Sequence, residues 1–259
     1  MIDTFLITLE TVAMLLGVGV LGFVLISRKV LPDTLLRSLS RLGLEVALPC
    51  LVFHNIVQNL RPRTFPDWWH YPLWFAGFTA FAAVLAFGGC LTAARRFRRE
   101  FAMGLLYQNA VFFPLIILAE MYGYESPRLV PLLLFTALFS PFYFGTSPLF
   151  FVSREHPHIP WGKILNPVFV TSILAIVLGV TGGARYVPGF VLSAAELVGG
   201  MAAPLLLIIL GGTIYVDLRD QGVTDLGEVV KFVIFKNAVF PLAMFGIIVA
   251  VRPPPAVAF

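Results

Sequence analysis

Long apolar stretches without charge alternate along this chain with short polar connections. Five stretches of 19 residues or more contain no Asp, Glu, Lys or Arg: 68–94, 101–119, 129–153, 164–184 and 197–216. About 20 apolar residues in a helix cross a hydrocarbon core of roughly 30 Å. A charge at the centre of that core costs about 2.5–3.5 kcal/mol on insertion scales. The pattern therefore predicts a helical protein that crosses a membrane several times.

Eight transmembrane helices fit between the connections, which contain Pro, Gly and charged residues. They are predicted, in chain order, at 5–27, 38–60, 70–93, 101–121, 128–152, 164–184, 190–216 and 228–251, and are called spans one to eight. The connections leave no room for a soluble domain. The expected fold class is an all-α polytopic membrane protein with about eight transmembrane helices.

Composition and charge agree with a membrane protein and indicate its orientation. Hydrophobic residues make up 59% of the chain and charged residues 12%, against about 25% charged in soluble domains. Alternate connections hold 12 of the 18 basic residues, and the opposite connections hold five. The positive-inside rule places the richer side in the cytoplasm. We expect a multi-pass protein of the plasma (inner) membrane with its N-terminus outside.

Enzyme and cofactor signatures are missing from the sequence. It contains no HExxH, no GxSxG, no paired carboxylates at helical spacing and no Gly-rich phosphate loop. Cys50 and Cys90 lie in apolar segments, where small core residues are the better interpretation. No basic stripe is interleaved with aromatic residues, as nucleic-acid binding would require. We therefore expect no enzyme activity, no cofactor, no metal site and no nucleic-acid partner.

An internal repeat relates the two halves of the chain. The segment 47–52 of span two resembles the segment 202–207 of span seven at an offset of 155, which aligns Pro49 with Pro204 as matching helix breaks. The same offset maps span one onto span six and span three onto span eight. Because spans one and six enter the membrane from opposite sides, the copies are inverted, a common plan of secondary transporters. The alternative is coincidence, since Pro is frequent in membrane helices.

The repeat predicts an inverted five-helix unit whose second copy is incomplete. Residues 1–153 form the first five-helix repeat, and residues 154–259 form a second, inverted repeat of three helices. At the 155-residue offset, spans four and five would recur near 256–276 and 283–308, whereas the sequence ends at Phe259. Either the chain is a shortened form of a roughly ten-helix protein, or the repeat is only partial.

Span four carries the strongest candidate site, which comprises Gln108, Asn109 and Pro114. Proline removes a helical hydrogen bond and frees a carbonyl four residues earlier. Two amides beside such a break are typical of a substrate site in a transporter. The alternative is a packed proline kink with amides that bond between helices.

Two titratable residues are further candidates, for coupling or gating. Lys236 lies inside span eight, where a charge indicates function unless the side chain snorkels to the interface. His54 lies towards the outer end of span two, where it either couples transport to protons or is simply hydrated.

Five segments of the chain together resemble a known family in their order and spacing. They are Leu48–Phe53, Tyr107–Gly123, Asn166–Pro167, Pro204–Gly211, and Lys236 with Pro241. They resemble the auxin efflux carrier family of permeases, a branch of the bile acid/arsenite/riboflavin transporter superfamily. The resemblance covers nearly the whole chain.

The resemblance implies ten helices in two inverted five-helix units. The broken fourth and ninth helices of that fold cross near the midplane and form the substrate site. It also implies export or uptake of organic anions such as auxin-like acids or dicarboxylates. The chain departs from the family at Phe112-Phe113-Pro114, where members often have Gly-x-Pro, and in lacking the ninth and tenth helices.

The sequence thus predicts a secondary transporter of small organic anions that works by alternating access. Its expected partners are the anion, the lipid bilayer and a second copy in a homodimer. The alternative is a truncated, non-transporting membrane paralogue, or an assembly or sensor protein on the same scaffold. An ion channel is a weaker alternative, because the sequence has no charged ring and no filter-like carbonyl loop.

Overall fold

Every regular element in the described part of the chain is a helix. The computed structural model describes residues 2–61, 66–108, 112–123, 126–147, 150, 165–221 and 225–251. Within these residues, four helices are long and apolar enough to cross a membrane: Leu9–Ser27, His70–Cys90, Gly189–Asp220 and Leu226–Ala250. A shorter apolar helix covers Pro167–Thr181. The predicted fold class, an all-α polytopic membrane protein, is confirmed.

In the described residues, spans one, three, six and eight agree with the helices to within a few residues, span two is helical throughout, and spans four, five and seven are each divided into two helices. The bounds of the helices are α1 Ile2–Ser27, α2 Leu35–Leu42, α3 Leu48–Asn59, α4 His70–Cys90, α5 Arg98–Leu106, α6 Phe112–Tyr122, α7 Leu129–Thr136, α8 Phe139–Thr146, α9 Pro167–Thr181, α10 Gly189–Gly199, α11 Ala202–Gln221, α12 Leu226–Ile234 and α13 Phe240–Val251. A π-helical turn over Gly43–Ala47 joins α2 to α3, and another over Phe235–Val239 joins α12 to α13. Short 3₁₀ turns cover Arg95–Phe97 and Gly183–Tyr186.

The chain divides into two compact units, and each unit draws on both halves of the predicted repeat. Unit 1 comprises Met1–Trp68, Ala110–Leu133 and Leu165–Gly222. Unit 2 comprises Trp69–Asn109, Leu134–Ile164 and Val223–Phe259. Unit 1 therefore contains α1 to α3, α6 and α9 to α11, whereas unit 2 contains α4, α5, α8, α12 and α13. Helix α7 contributes residues to both.

In unit 1, glycines bring α1 and α11 into direct main-chain contact. A Cβ added at Gly22 would lie 2.1 Å from the Ile208 carbonyl oxygen, and one added at Gly211 would lie 1.8 Å from the Gly19 carbonyl oxygen. Small residues are enriched at membrane helix interfaces because they allow such close approach. This contact depends on the absence of side chains at both positions.

The rest of unit 1 is built around α3, which packs against α9 and α10. A Cβ added at Gly199 of α10 would lie 2.7 Å from the Leu51 Cα, so these two helices also approach closely. Helix α9 begins at Pro167, where a missing N–H costs nothing, and the Asn166 side chain accepts from the Phe169 N–H at 3.0 Å. Helix α3 is thereby buried on most of its circumference.

In unit 2, aromatic residues hold α4, α5 and α12 together. Phe101 of α5 is buried and meets the Phe232 and Phe235 rings edge-on at centroid distances of 5.3 and 6.3 Å. Asp225 caps α12 by accepting from the Glu228 N–H and pairs with Arg96 at 2.9 Å. The hydrogen bond from the Glu228 N–H, and to a smaller extent the pairing with Arg96, holds the pKa of Asp225 below its usual range.

Candidate functional site

The predicted break in span four is a complete interruption of the helix. Helix α5 ends at Leu106, Tyr107 is extended (φ −92°, ψ 101°), and the next helix begins at Phe112. Pro114 is the third residue of that helix, in the first turn, where its missing N–H needs no partner. Pro114 therefore lies at the start of a new helix and does not kink a continuous one. The predicted ligand Asn109 lies outside the described residues.

Lys236 binds the end of α5 that this interruption exposes. Its ammonium donates to the Gly104 carbonyl oxygen and lies 3.4 Å from the Tyr107 carbonyl oxygen. The last carbonyls of a helix have no partner inside the helix and carry its negative dipole end. Lys236 therefore neutralises the end of α5. Its side chain is half-buried within unit 2.

Tyr107 and Gln108 are tied to the same end of α5. The Thr146 hydroxyl donates to the Phe142 carbonyl oxygen at 2.6 Å, which uses its one proton. The Tyr107 hydroxyl, 2.7 Å from Thr146 Oγ1, must therefore be the donor in that pair. Gln108 Nε2 donates to the Leu105 carbonyl oxygen at 2.5 Å and keeps a second N–H. The break is thus held by hydrogen bonds to α5, α8 and Lys236.

A cavity of about 730 Å³ lies beside the break in unit 2. Its volume falls within the roughly 300–1,000 Å³ range of small-molecule sites. Among the described residues that line it, Thr79 and Thr146 supply the only polar side chains; these residues are Phe75, Ala76, Thr79, Ala80, Ala83, Leu106, Leu138, Phe142, Thr146 and Phe150. Leu106 and Thr146 connect the cavity to the break. The cavity therefore suits an apolar or aromatic body.

The charges around the break are suited to an anion. An ammonium has three N–H donors, and Lys236 directs two of them at main-chain carbonyls. Among the described residues, the third donor has no hydrogen-bond acceptor. None of the described residues that line the cavity is acidic. Within the described residues, no group of three or more His, Cys, Asp or Glu side chains is arranged to hold a metal ion.

His54 lies in unit 1, whereas Tyr107, Gln108 and Lys236 belong to unit 2. Only 6% of it is exposed, so the interpretation of His54 as a hydrated interfacial side chain is wrong. Its Nδ1 lies 3.1 Å from the Leu192 carbonyl oxygen, which only accepts, so Nδ1 carries the proton there. In the neutral ring, Nε2 is then an acceptor without a partner in the described residues. A role in proton coupling stays a prediction.

The two prolines predicted at matching helix breaks also lie in unit 1. Pro49 is the second residue of α3 and follows the π-helical turn, so the chain stays helical through it. Pro204 is the third residue of α11, and an interruption at Gly200 and Met201 precedes that helix. Pro204 therefore occupies a first turn in the way Pro114 does, whereas Pro49 lies within a continuous helical run.

Sequence reasoning selected Lys236 and Gln108 but missed what surrounds them. The Tyr107–Thr146 hydrogen bond joins two spans and has no sequence signature. The α4 wall of the cavity does have one, since Ala76, Thr79, Ala80 and Ala83 recur at helical spacing and are all small. Such a stripe predicts a helix face that a larger group approaches.

Comparison with known proteins supports a transport function. A family model described as a membrane transport protein matches residues 7–154 and again residues 151–256. No curated protein and no solved structure matches the chain.

Proposed function

Because the chain belongs to the membrane transport protein family, and is thus a membrane transporter, we propose that it carries organic monocarboxylates with an apolar body. The observation that supports this most directly is Lys236 at the interrupted helix beside an apolar cavity. The resemblance to auxin efflux carriers supports an organic anion as the substrate. The plasma (inner) membrane and an outside N-terminus stay predictions.

The carboxylate binds at the end of α5 in this proposal. The negative dipole end of α5 alone would repel an anion, and the Lys236 ammonium offsets it. The remaining N–H of Lys236 and that of Gln108 then donate to the carboxylate. Asn109, which follows in the chain, stays a predicted ligand. Hydrogen bonds to charged groups contribute about 1.5–3 kcal/mol each.

The apolar cavity holds the remainder of the substrate. Phe75, Phe142 and Phe150 provide aromatic surface, and the alanines of α4 leave room for a ring. A dicarboxylate would place its second charge against this lining, and burying an unpaired charge is costly. The lining thus favours auxin-like monocarboxylates over dicarboxylates, the two classes that the family resemblance left open.

Alternating access is proposed from the predicted inverted repeat. In this repeat, α1 corresponds to α9 and α11 corresponds to α3. The packing of α1 on α11 should therefore recur as packing of α9 on α3, and both contacts are present in unit 1. The rings of Phe23 and Tyr215 lie 5.2 Å apart, and the 155-residue offset maps these residues onto positions 178 and 60. At the second pair of positions, Gly179, the neighbour of position 178, packs against Leu60. This crosswise packing supports the repeat, and transporters built from such repeats rock one part against another.

Uptake by proteoliposomes tests this function. With the purified chain, radiolabelled indole-3-acetate and benzoate should enter faster than succinate or malonate, because the cavity rejects a second charge. Each acid is measured with and without a pH gradient, and protein-free liposomes correct for diffusion of the neutral acids. If the dicarboxylates enter faster than the aromatic acids, the proposed substrate class is wrong. If no acid enters faster than in protein-free liposomes, the proposed transport itself is wrong.

A further inference from the structure

The segment 91–100, which links α4 to the first turn of α5 and is called the α4–α5 connection, carries four arginines, two of which already have partners. Arg96 pairs with Asp225 at 2.9 Å, and Arg98 donates to the carbonyl oxygens of Ala93 and Leu91 at 3.3 and 3.5 Å. Arg95 and Arg99 are exposed, and neither side chain forms a hydrogen bond or ion pair with the described residues. Two guanidinium groups are therefore available on this connection.

An exposed apolar stripe leads along α4 to these arginines. Val84, Phe87 and Leu91 are 68%, 70% and 54% exposed. Their spacing of three and four residues places them on one helix face. Since α4 is apolar and long enough to cross a membrane, this stripe meets lipid tails where the arginines meet headgroups.

We propose that Arg95 and Arg99 bind the phosphate of an anionic phospholipid whose acyl chain lies along this stripe. The connection and the start of α12 hold five basic residues (Arg95, Arg96, Arg98, Arg99 and Lys231) and three acidic ones (Glu100, Asp225 and Glu228), which leaves a charge of +2. Such a surface complements a phosphate. This site is separate from the proposed substrate site, and its test uses no substrate.

The connection is held in place before any lipid binds. The Ala94 N–H donates to Glu228 Oε2 at 3.3 Å, and Arg96 pairs with Asp225, so the start and the middle of the 3₁₀ turn are tied to the N-terminal end of α12. A fixed site loses less conformational entropy on binding. Pre-organisation therefore favours a specific lipid site over a diffuse cloud of counterions.

A bound lipid would account for both the available arginines and the exposed apolar stripe, whereas other occupants would account for only one of them. A soluble acidic peptide would use the arginines but leave the apolar stripe uncovered. A second copy of the chain would present the same positive connection and be repelled. A phospholipid supplies a phosphate and an apolar chain together, and an anionic one also complements the surplus positive charge of this surface.

Native mass spectrometry of the chain from nanodiscs with equal phosphatidylglycerol and phosphatidylcholine tests the proposal. The unchanged chain should retain phosphatidylglycerol preferentially. Each basic residue near an anionic surface changes affinity by about fivefold, so Arg95→Gln with Arg99→Gln should lower that preference by roughly 25-fold. Arg128→Gln with Arg185→Gln removes the same charge from exposed residues of unit 1 and should leave it unchanged.

Two further experiments test the apolar stripe and the need for an acyl chain separately. Val84→Ser with Phe87→Ser should weaken retention of both lipids without changing the headgroup preference. Glycerol 3-phosphate, which has no acyl chain, should not displace the lipid. Equal retention of the two lipids by the unchanged chain would contradict the proposal. The proposal would also be contradicted if the two double arginine variants lost the same amount of headgroup preference, or if glycerol 3-phosphate displaced the lipid. A dimer peak that disappears in the Arg95 and Arg99 variant would contradict it as well.

Discussion

Replacing Lys236 with Met should lower the affinity for an aromatic monocarboxylate by about 10- to 150-fold. This range corresponds to the loss of one hydrogen bond to a charged group, worth roughly 1.5–3 kcal/mol. The variant also leaves the Gly104 and Tyr107 carbonyls without their donor at the end of α5. Binding of radiolabelled indole-3-acetate to the purified chain in detergent measures the change.

Lys231→Met is the matched control, because it removes the same charge from the same span. Lys231 pairs with Glu228 at 2.8 Å, and about half of its side chain is exposed. Exposed pairs contribute about 0–1 kcal/mol, so affinity and melting temperature should change little. If the two variants lose affinity equally, or if Lys236→Met binds normally, Lys236 does not hold the anion.

Gly211→Val should cause the largest loss of stability among single substitutions in unit 1. The first added carbon would lie 1.8 Å from the Gly19 carbonyl oxygen, and main chain cannot move aside as a flexible side chain can. Overpacking costs about 1–3 kcal/mol and occasionally more, and we expect the upper end. A fall of roughly 10 °C in melting temperature follows for a chain of this size. Thermal unfolding in detergent measures it.

Gly17→Val is the control for the same helix pair. Gly17 lies on α1, two residues before Gly19, and a Cβ there would meet no atom within 4 Å. This substitution should shift the melting temperature by only a degree or two. Equal melting temperatures for the two variants would mean that α1 and α11 do not pack through their main chains.

The transmembrane helices follow from the sequence because the bilayer acts on every residue within it. A charge is costly anywhere in the hydrocarbon core, so the windows free of charge mark the helices to within a few residues. The interruption of span four is equally local, since Pro114 and two neighbouring amides lie in one short segment. Such local penalties can be assessed without knowing the fold.

The partners of Lys236 and His54 could not be inferred in the same way. Lys236 binds the carbonyls of Gly104 and Tyr107, groups that every residue carries. No opposite charge in the sequence points to them across some 130 residues. The position of His54 towards the outer end of span two suggested a hydrated side chain. The side chain is buried instead, because it lies on the face of α3 that meets Leu192. Both contacts depend on which spans become neighbours.

The division into units was also hidden from sequence reasoning. The repeat predicted halves at 1–153 and 154–259, whereas the compact units each combine spans from both. A repeat reports which segments are equivalent. Which segments pack together depends on complementary faces, such as those formed by Gly22 and Gly211, and these glycines are recognised as a pair only once the helices are paired.

The central claim is that the cavity beside the break of span four holds the body of a monocarboxylate, and one comparison of binding tests it most directly. Ala83 lines that cavity, whereas its neighbour Val84 lies on the exposed face of α4. We predict that Ala83→Phe abolishes saturable binding of indole-3-acetate by filling the cavity, while Val84→Phe, also a substitution by Phe, binds as the unchanged chain does. Equal binding by all three proteins would contradict the claim.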